Sequence, residues 1–129
     1  MATVLLIDDD ESLRTVAGDV LRCAGHTVVE ARNGKEGLKL FEHVGADLVI
    51  TDIVMPEAEG LEVLMTLRNK QPPVRIIAMS GGGTQSAKEY LHIAELMGAA
   101  KTLAKPFSNE ALLTLIDDLL AEPVSPALP

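Results

Sequence analysis

The sequence predicts a doubly wound α/β domain, a five-stranded parallel sheet with five helices packed on its two faces. Three observations carry that expectation. Short apolar runs alternate with segments of helical periodicity along the whole chain. The runs are aliphatic and show little polar alternation, as strands covered on both faces require. The connections between them are long enough to hold helices, which forces parallel pairing and right-handed crossovers.

The first strand is Thr3-Val4-Leu5-Leu6-Ile7, stopped by Asp8-Asp9-Asp10. Asp10 is placed to cap a helix in which Leu13, Val16, Ala17, Val20, Leu21 and Ala24 recur, with Gly25 closing it. Thr27 to Ala31 is the second strand, and Asn33-Gly34 opens a shorter helix with Leu38 and Phe41 inward. Asp47 to Thr51 is the third strand, built on the run Leu48-Val49-Ile50 and ending beside Asp52. Met55-Pro56 and Gly60 then turn the chain. Leu61, Leu64 and Leu67, helped by Met65, mark a helix from about Glu59 to Asn69, which Gln71-Pro72-Pro73 ends.

Val74 to Met79 is the fourth strand, and Ser80-Gly81-Gly82-Gly83-Thr84 reads as a loop. Tyr90, Ile93, Ala94 and Met97 mark the fourth helix, capped by Gly98. Ala100 to Ala104 is the fifth strand, and Lys105-Pro106 interrupts it. Ser108 caps the last helix, with Leu112, Leu115, Ile116 and Leu119 inward. Residues 2–121 form one expected domain. Residues 122–129 carry three prolines and no apolar period, and read as a disordered tail or the start of a linker.

Composition narrows the function classes. The chain has 129 residues, 47% of them hydrophobic, enough for one core, and only 2% aromatic, so that core is aliphatic. A net charge of −8 argues against binding nucleic acid directly and against an anionic membrane surface. Cys23 is the lone cysteine, which excludes an internal disulfide and fits a reducing compartment; it is expected to be packed, not reactive. No basic leader precedes the first apolar run, and no run approaches membrane-spanning length. A cytoplasmic protein is the expectation.

In this fold the carboxyl ends of parallel strands share one edge, where sites are built. Those ends carry Asp8 and Asp9, Asp52, Ser80 and Lys105. Taken singly, each has a plainer reading: a capping cluster, a turn aspartate, a flexible turn, a solvated lysine. Their joint occurrence at four strand ends favours chemistry. Asp8, Asp9 and Asp52 offer oxygen ligands with no His or Cys beside them, which suits Mg²⁺ before Zn²⁺. Lys105 supplies a charge for an anion. Ser80 supplies a hydroxyl, and the N–H groups of Gly81 and Gly82 add donors. Together these can clamp a phosphoryl group in transfer, with Asp52 as nucleophile and an aspartyl-phosphate as product.

Rival chemistries fit less well. Ala78-Met79-Ser80-Gly81-Gly82 is near a nucleophile elbow but lacks its first glycine, and no Asp lies between Ser80 and the later His92. No Gly-Lys-Ser/Thr follows the glycines, which disfavours a nucleotide site. A phosphatase forming an aspartyl-phosphate would want a second Asp where Val54 stands. His26, His43 and His92 sit on different elements without metal-ligand spacing.

The sequence resembles the receiver domains of two-component response regulators. The resemblance rests on Val4 to Asp10, Asp47 to Pro56, Ile76 to Gly81 and Leu103 to Phe107, and covers about residues 2 to 121. It implies the flavodoxin-like receiver fold. It also implies that Asp52 accepts a phosphoryl group from a histidine kinase or a histidine phosphotransfer protein. Asp8 and Asp9 would hold Mg²⁺, Asp9 more directly, with Asp52 and the backbone carbonyl of Val54. Ser80, Gly81 and Lys105 would hold phosphoryl oxygens, and the Lys105-Pro106 bond would be cis. Such a protein is not an enzyme on other substrates, but promotes its own Mg²⁺-dependent phosphorylation and dephosphorylation. It would signal by protein contact, as a monomer or a phosphorylation-dependent dimer: by passing phosphate on to a histidine phosphotransfer protein, by draining a kinase, or by binding a partner through its fourth and fifth helices. The alternative within the family is a scaffold that works without phosphate.

Two departures stand out. The family usually has an aromatic residue three positions before the lysine, as a switch coupled to the hydroxyl at Ser80; here it is Thr102. The segment between Ser80 and Lys105 is also slightly long, so the glycine loop and the following helix are expected to carry the switch. The resemblance ends about where the sequence does, so the expectation is either a stand-alone receiver or a receiver cut from a longer protein.

Overall fold

A computed structural model describes residues 2–53, 59–70, 74–81, 85–96 and 98–121. Among them, strands and helices alternate throughout: β1 Thr3–Ile7, α1 Glu11–Cys23, β2 Thr27–Ala31, α2 Gly34–Val44, β3 Leu48–Asp52, α3 Glu59–Arg68, β4 Arg75–Gly81, α4 Gln85–Leu96, β5 Lys101–Lys105 and α5 Asn109–Ala121. The strands form one parallel sheet in the order β2-β1-β3-β4-β5. The chain winds outward from β1 to β2 and then returns to β3 on the other side of β1. That reversal opens a crevice between the carboxyl ends of β1 and β3.

The local chemistry explains the helix starts. The Asp10 carboxylate accepts from the Leu13 N–H, Asn33 Oδ1 accepts from the Glu36 N–H, and Ser108 Oγ accepts from the Ala111 N–H. Each satisfies a donor that the first helical turn leaves orphaned. Gly25 follows α1 with φ +96°, the left-handed conformation that ends a helix cheaply only at glycine.

Strand alternation divides the core in two. Leu5, Ile7, Val49, Ile76 and Ala78 pack with Val63, Leu64, Leu67 and Ala94 of α3 and α4. Val4, Leu6, Leu48, Ile50, Ile77 and Met79 pack with Ala17 and Leu21 of α1 and Leu112, Ile116 and Leu119 of α5. Gly37 lets α2 lie directly on β1. A Cβ there would stand 2.4 Å from Ile7 Cδ1.

Several expectations need correction. Ser80 and Gly81 are not loop; they end β4, because Ser80 pairs with Ala104 and Gly81 with Lys105 across to β5. Lys105 accordingly belongs to β5 rather than interrupting it. β3 and β5 run one residue later than expected. Val16 and Met65 share helical spacing with core positions, yet they are 56% and 52% exposed. Cys23 lies exposed in the last turn of α1, not packed. The glycine loop at 82–84, Met97 and the tail 122–129 lie outside the described residues. No described helix is long and apolar enough to cross a membrane.

Candidate functional site

Asp8 is the first residue after β1, and Asp52 is the last of β3. Both are driven under the surface by the sheet they extend: Asp8 is fully buried and Asp52 is 5% exposed. Asp9, exposed, lies between Asp8 and the Asp10 cap. Carboxylate oxygens of Asp8, Asp9 and Asp52 all fall within 4.8 Å of one another. The plainer capping role belongs to Asp10, which leaves Asp8 and Asp9 available for other work.

Lys105 arrives from the end of β5. Its Nζ donates to Asp8 Oδ2 at 2.6 Å and to Asp52 Oδ2 at 2.9 Å, so one ammonium bridges two buried carboxylates. Asp8 is pinned at its other polar atoms too. Its N–H donates to the Ala31 carbonyl, its Oδ1 accepts from the Asp10 N–H, and its carbonyl accepts from the Arg14 guanidinium.

The charges respond to this packing. Burial pushes the Asp8 carboxyl above its ordinary value, and the Lys105 contact and the Asp10 N–H only partly oppose it. Burial works against the Lys105 ammonium as well, but its hydrogen bonds to Asp8 and Asp52 outweigh that, so Lys105 is held above its ordinary value. Three carboxylates thus gather around one ammonium, two of them in direct contact with it.

Ser80, on the neighbouring end of β4, is fully buried, and its hydroxyl has no hydrogen-bond partner among the described residues. A buried hydroxyl left so is costly and marks a place where a polar group is expected. Gly81 is exposed at the same edge, and no atom of the described residues lies within 4 Å of where a Cβ would stand. The peptide bond Lys105-Pro106 is cis. Val54 lies outside the described residues. Thr102 does not turn toward the acids; its Oγ1 lies 3.4 Å from Glu95 Oε1 of α4. Beside Lys105, between α1 and the segment after β5, opens an apolar groove of about 310 Å³ whose lining includes Leu13, Val16, Pro106 and Phe107.

The donor set fits a hard divalent cation. It is all oxygen, clustered, and short of positive charge. Asp8, Asp9 and Asp52 would hold Mg²⁺, with Ser80 and Lys105 at the ends of the neighbouring strands β4 and β5. Sequence reasoning missed Arg14. Its signal was present: an arginine on the helix, four residues after the Asp10 cap and between apolar positions.

Comparison with known proteins identifies the family. The family model of the response regulator receiver domain matches residues 4–117. The sensor kinase CckA of Brucella abortus is 36% identical over 121 residues, which cover 92% of this chain and 12% of that protein. The chain thus spans only a small part of that relative. The chemotaxis protein CheY of Listeria monocytogenes is 33% identical over 118 residues, 91% of this chain and 97% of that protein. The crystal structure of the chemotaxis response regulator CheY4 of Vibrio cholerae matches with a TM-score of 0.80 at 29% identity, over 92% of this chain and 98% of that one.

Proposed function

Since the chain belongs to the response regulator receiver domain family, we propose that Asp52 is its phosphoryl acceptor and that Asp8, Asp9 and Asp52 hold Mg²⁺ for the transfer. The observation that carries this reading is the Lys105 ammonium laid across Asp8 and Asp52 at the carboxyl edge of the sheet. A structural ion pair alone gives no reason for an additional carboxylate, Asp9, and an unpartnered buried hydroxyl, Ser80, beside it.

In the proposed reaction a carboxylate oxygen of Asp52 attacks the phosphorus of a phosphohistidine on a histidine kinase or phosphotransfer protein. The P–O bond forms as the P–N bond breaks, and the imidazole leaves with the electron pair. Bound Mg²⁺ would supply charge neutralisation for the phosphoryl oxygens. Lys105 stands where it can shift from the carboxylates to a phosphoryl oxygen. The Ser80 hydroxyl and the Gly81 N–H can donate to others. Attack by water on phosphorus then returns Asp52 and inorganic phosphate. The groove beside Lys105 gives a donor protein apolar surface on which to rest, close to Asp52. The output is a change in protein contacts rather than chemistry on another substrate.

Intact mass after incubation with Mg²⁺ and a small acyl phosphate tests this. Wild type should gain one phosphoryl group, and chelation of Mg²⁺ or Asp52→Asn should abolish the gain. An adduct that survives Asp52→Asn would place the acceptor elsewhere. Wild type that stays unmodified by acyl phosphate and by a panel of phosphorylated histidine kinases would favour a phosphate-independent scaffold.

A further inference from the structure

Arg14 is a buried arginine, 9% exposed, on the face of α1 that meets the sheet. Arginine is rarely buried unless its donors are spoken for. Here Nη1 donates to the Asp8 carbonyl at 2.7 Å, and Nε lies 3.6 Å from Glu30 Oε1 of β2. Glu30 is itself held on its other oxygen by Arg22 Nη2 at 3.0 Å, so its carboxylate is braced between two guanidinium groups. Helix and strand are thereby tied to one atom, the carbonyl that joins Asp8 to Asp9.

That carbonyl controls the site. A peptide unit is planar, so holding its oxygen fixes the plane and with it the direction in which the chain leaves Asp8. The same plane carries the Asp9 N–H, and it sets where the exposed Asp9 carboxylate can reach. We infer that Arg14 is a positioning residue for the divalent cation site. Its guanidinium, braced by Glu30, locks the Asp8–Asp9 peptide and aims both carboxylates. The inference rests on the reading that Mg²⁺ sits among Asp8, Asp9 and Asp52.

Electrostatics and positioning predict opposite signs, which makes the inference testable. A fixed cation near the site repels Mg²⁺, so if charge alone mattered, removing it would tighten binding. If Arg14 positions the ligands, removing it weakens binding. The test is calorimetric titration of the full chain with MgCl₂ after EDTA stripping, with urea unfolding curves run in parallel. Arg14→Met should bind Mg²⁺ about tenfold more weakly, as loss of an outer support of a metal ligand does. Arg14→Lys keeps the charge but a single ammonium lacks the fork that spans carbonyl and carboxylate, so it should fall between. Glu30→Gln should weaken binding less, in the same direction. Arg14→Met binding as tightly as wild type, or more tightly, overturns the inference. Should Arg14→Met not unfold cooperatively, Arg14→Lys decides: weaker binding supports positioning, unchanged binding overturns it. Wild type that takes up no Mg²⁺ would remove the metal site itself, and this inference with it.

Discussion

Replacing Lys105 with methionine tests the charge balance of the site most directly. Methionine keeps most of the stem and removes the ammonium. The two contacts, at 2.6 and 2.9 Å, are each worth about 6 kcal/mol at an effective dielectric of about 20. Desolvating three charged groups costs several kcal/mol per ion and offsets much of that. Without the ammonium, Asp8 and Asp52 face each other, with oxygens within 4.8 Å, and repel by about 3 kcal/mol on the same scale. Lys105 is 19% exposed, so water fills part of its place. The expected loss is about 3 kcal/mol, the low end for stripping one partner from a buried ion pair. Mg²⁺ should narrow it, because the variant lacks the competing ammonium and should bind the cation more tightly; each tenfold gain in affinity over wild type recovers about 1.4 kcal/mol. Urea unfolding of wild type and Lys105→Met, in EDTA and in saturating Mg²⁺, measures both quantities. A variant as stable as wild type in EDTA refutes the balance, and so does a deficit that Mg²⁺ leaves untouched.

Ser80→Ala removes an unpartnered buried hydroxyl, so it should stabilise the phosphate-free protein by about 1 kcal/mol while slowing phosphoryl uptake; unfolding curves and timed intact mass check the two halves. The Asp8 carboxyl is held above its ordinary value of 3.8, so its contribution to stability is fully present below that pH and is lost as pH rises through the raised folded value. Asp8→Asn is neutral at every pH and should therefore be more stable than wild type in EDTA at neutral pH, yet gain little from Mg²⁺. Lys105, held above 10.5, has the opposite window: its stabilisation persists through neutral pH and disappears only as pH climbs past that raised value, which alkaline unfolding of wild type against Lys105→Met would reveal. Gly37→Ala drives a methyl into Ile7 and should cost about 2 kcal/mol, and Ile7→Val, which removes the clashing Cδ1, should recover part of that in a double-mutant cycle.

Asp52, Asp8 and Lys105 were legible because buried strands have an unmistakable composition, and a charge at the end of one has few places to go. Their convergence followed from parallel pairing alone. The end of β4 was misread because glycine propensity is local, whereas pairing with β5 is not; Gly81 is held in the sheet by Lys105, 24 positions later. Val16 and Met65 share the spacing of core positions yet lie exposed, because periodicity gives a stripe but not its width. Arg14 was passed over because charged residues on a helix default to solvent. The Asp8 carbonyl before the helix and Glu30 on the strand after it, brought together in space, show that this arginine points in. Thr102 stands where the family usually carries an aromatic switch coupled to Ser80. By strand alternation both fall on the side of the sheet that faces α4, but the threonine side chain is short and finds Glu95 first.

The Lys105–Asp8 bond joins residues 97 positions apart, one beyond the first strand and one closing the last. It is a clasp between the two ends of the fold. During synthesis the acids of β1 and β3 leave the ribosome long before their lysine, so the early chain carries the acidic half of the pocket without its counter-charge. Closing so long a loop is entropically late. Asp52 therefore meets its lysine only when β5 has docked and the sheet is whole. A truncated or half-folded copy would offer the acid without the clasp, and signalling competence becomes a report on complete folding.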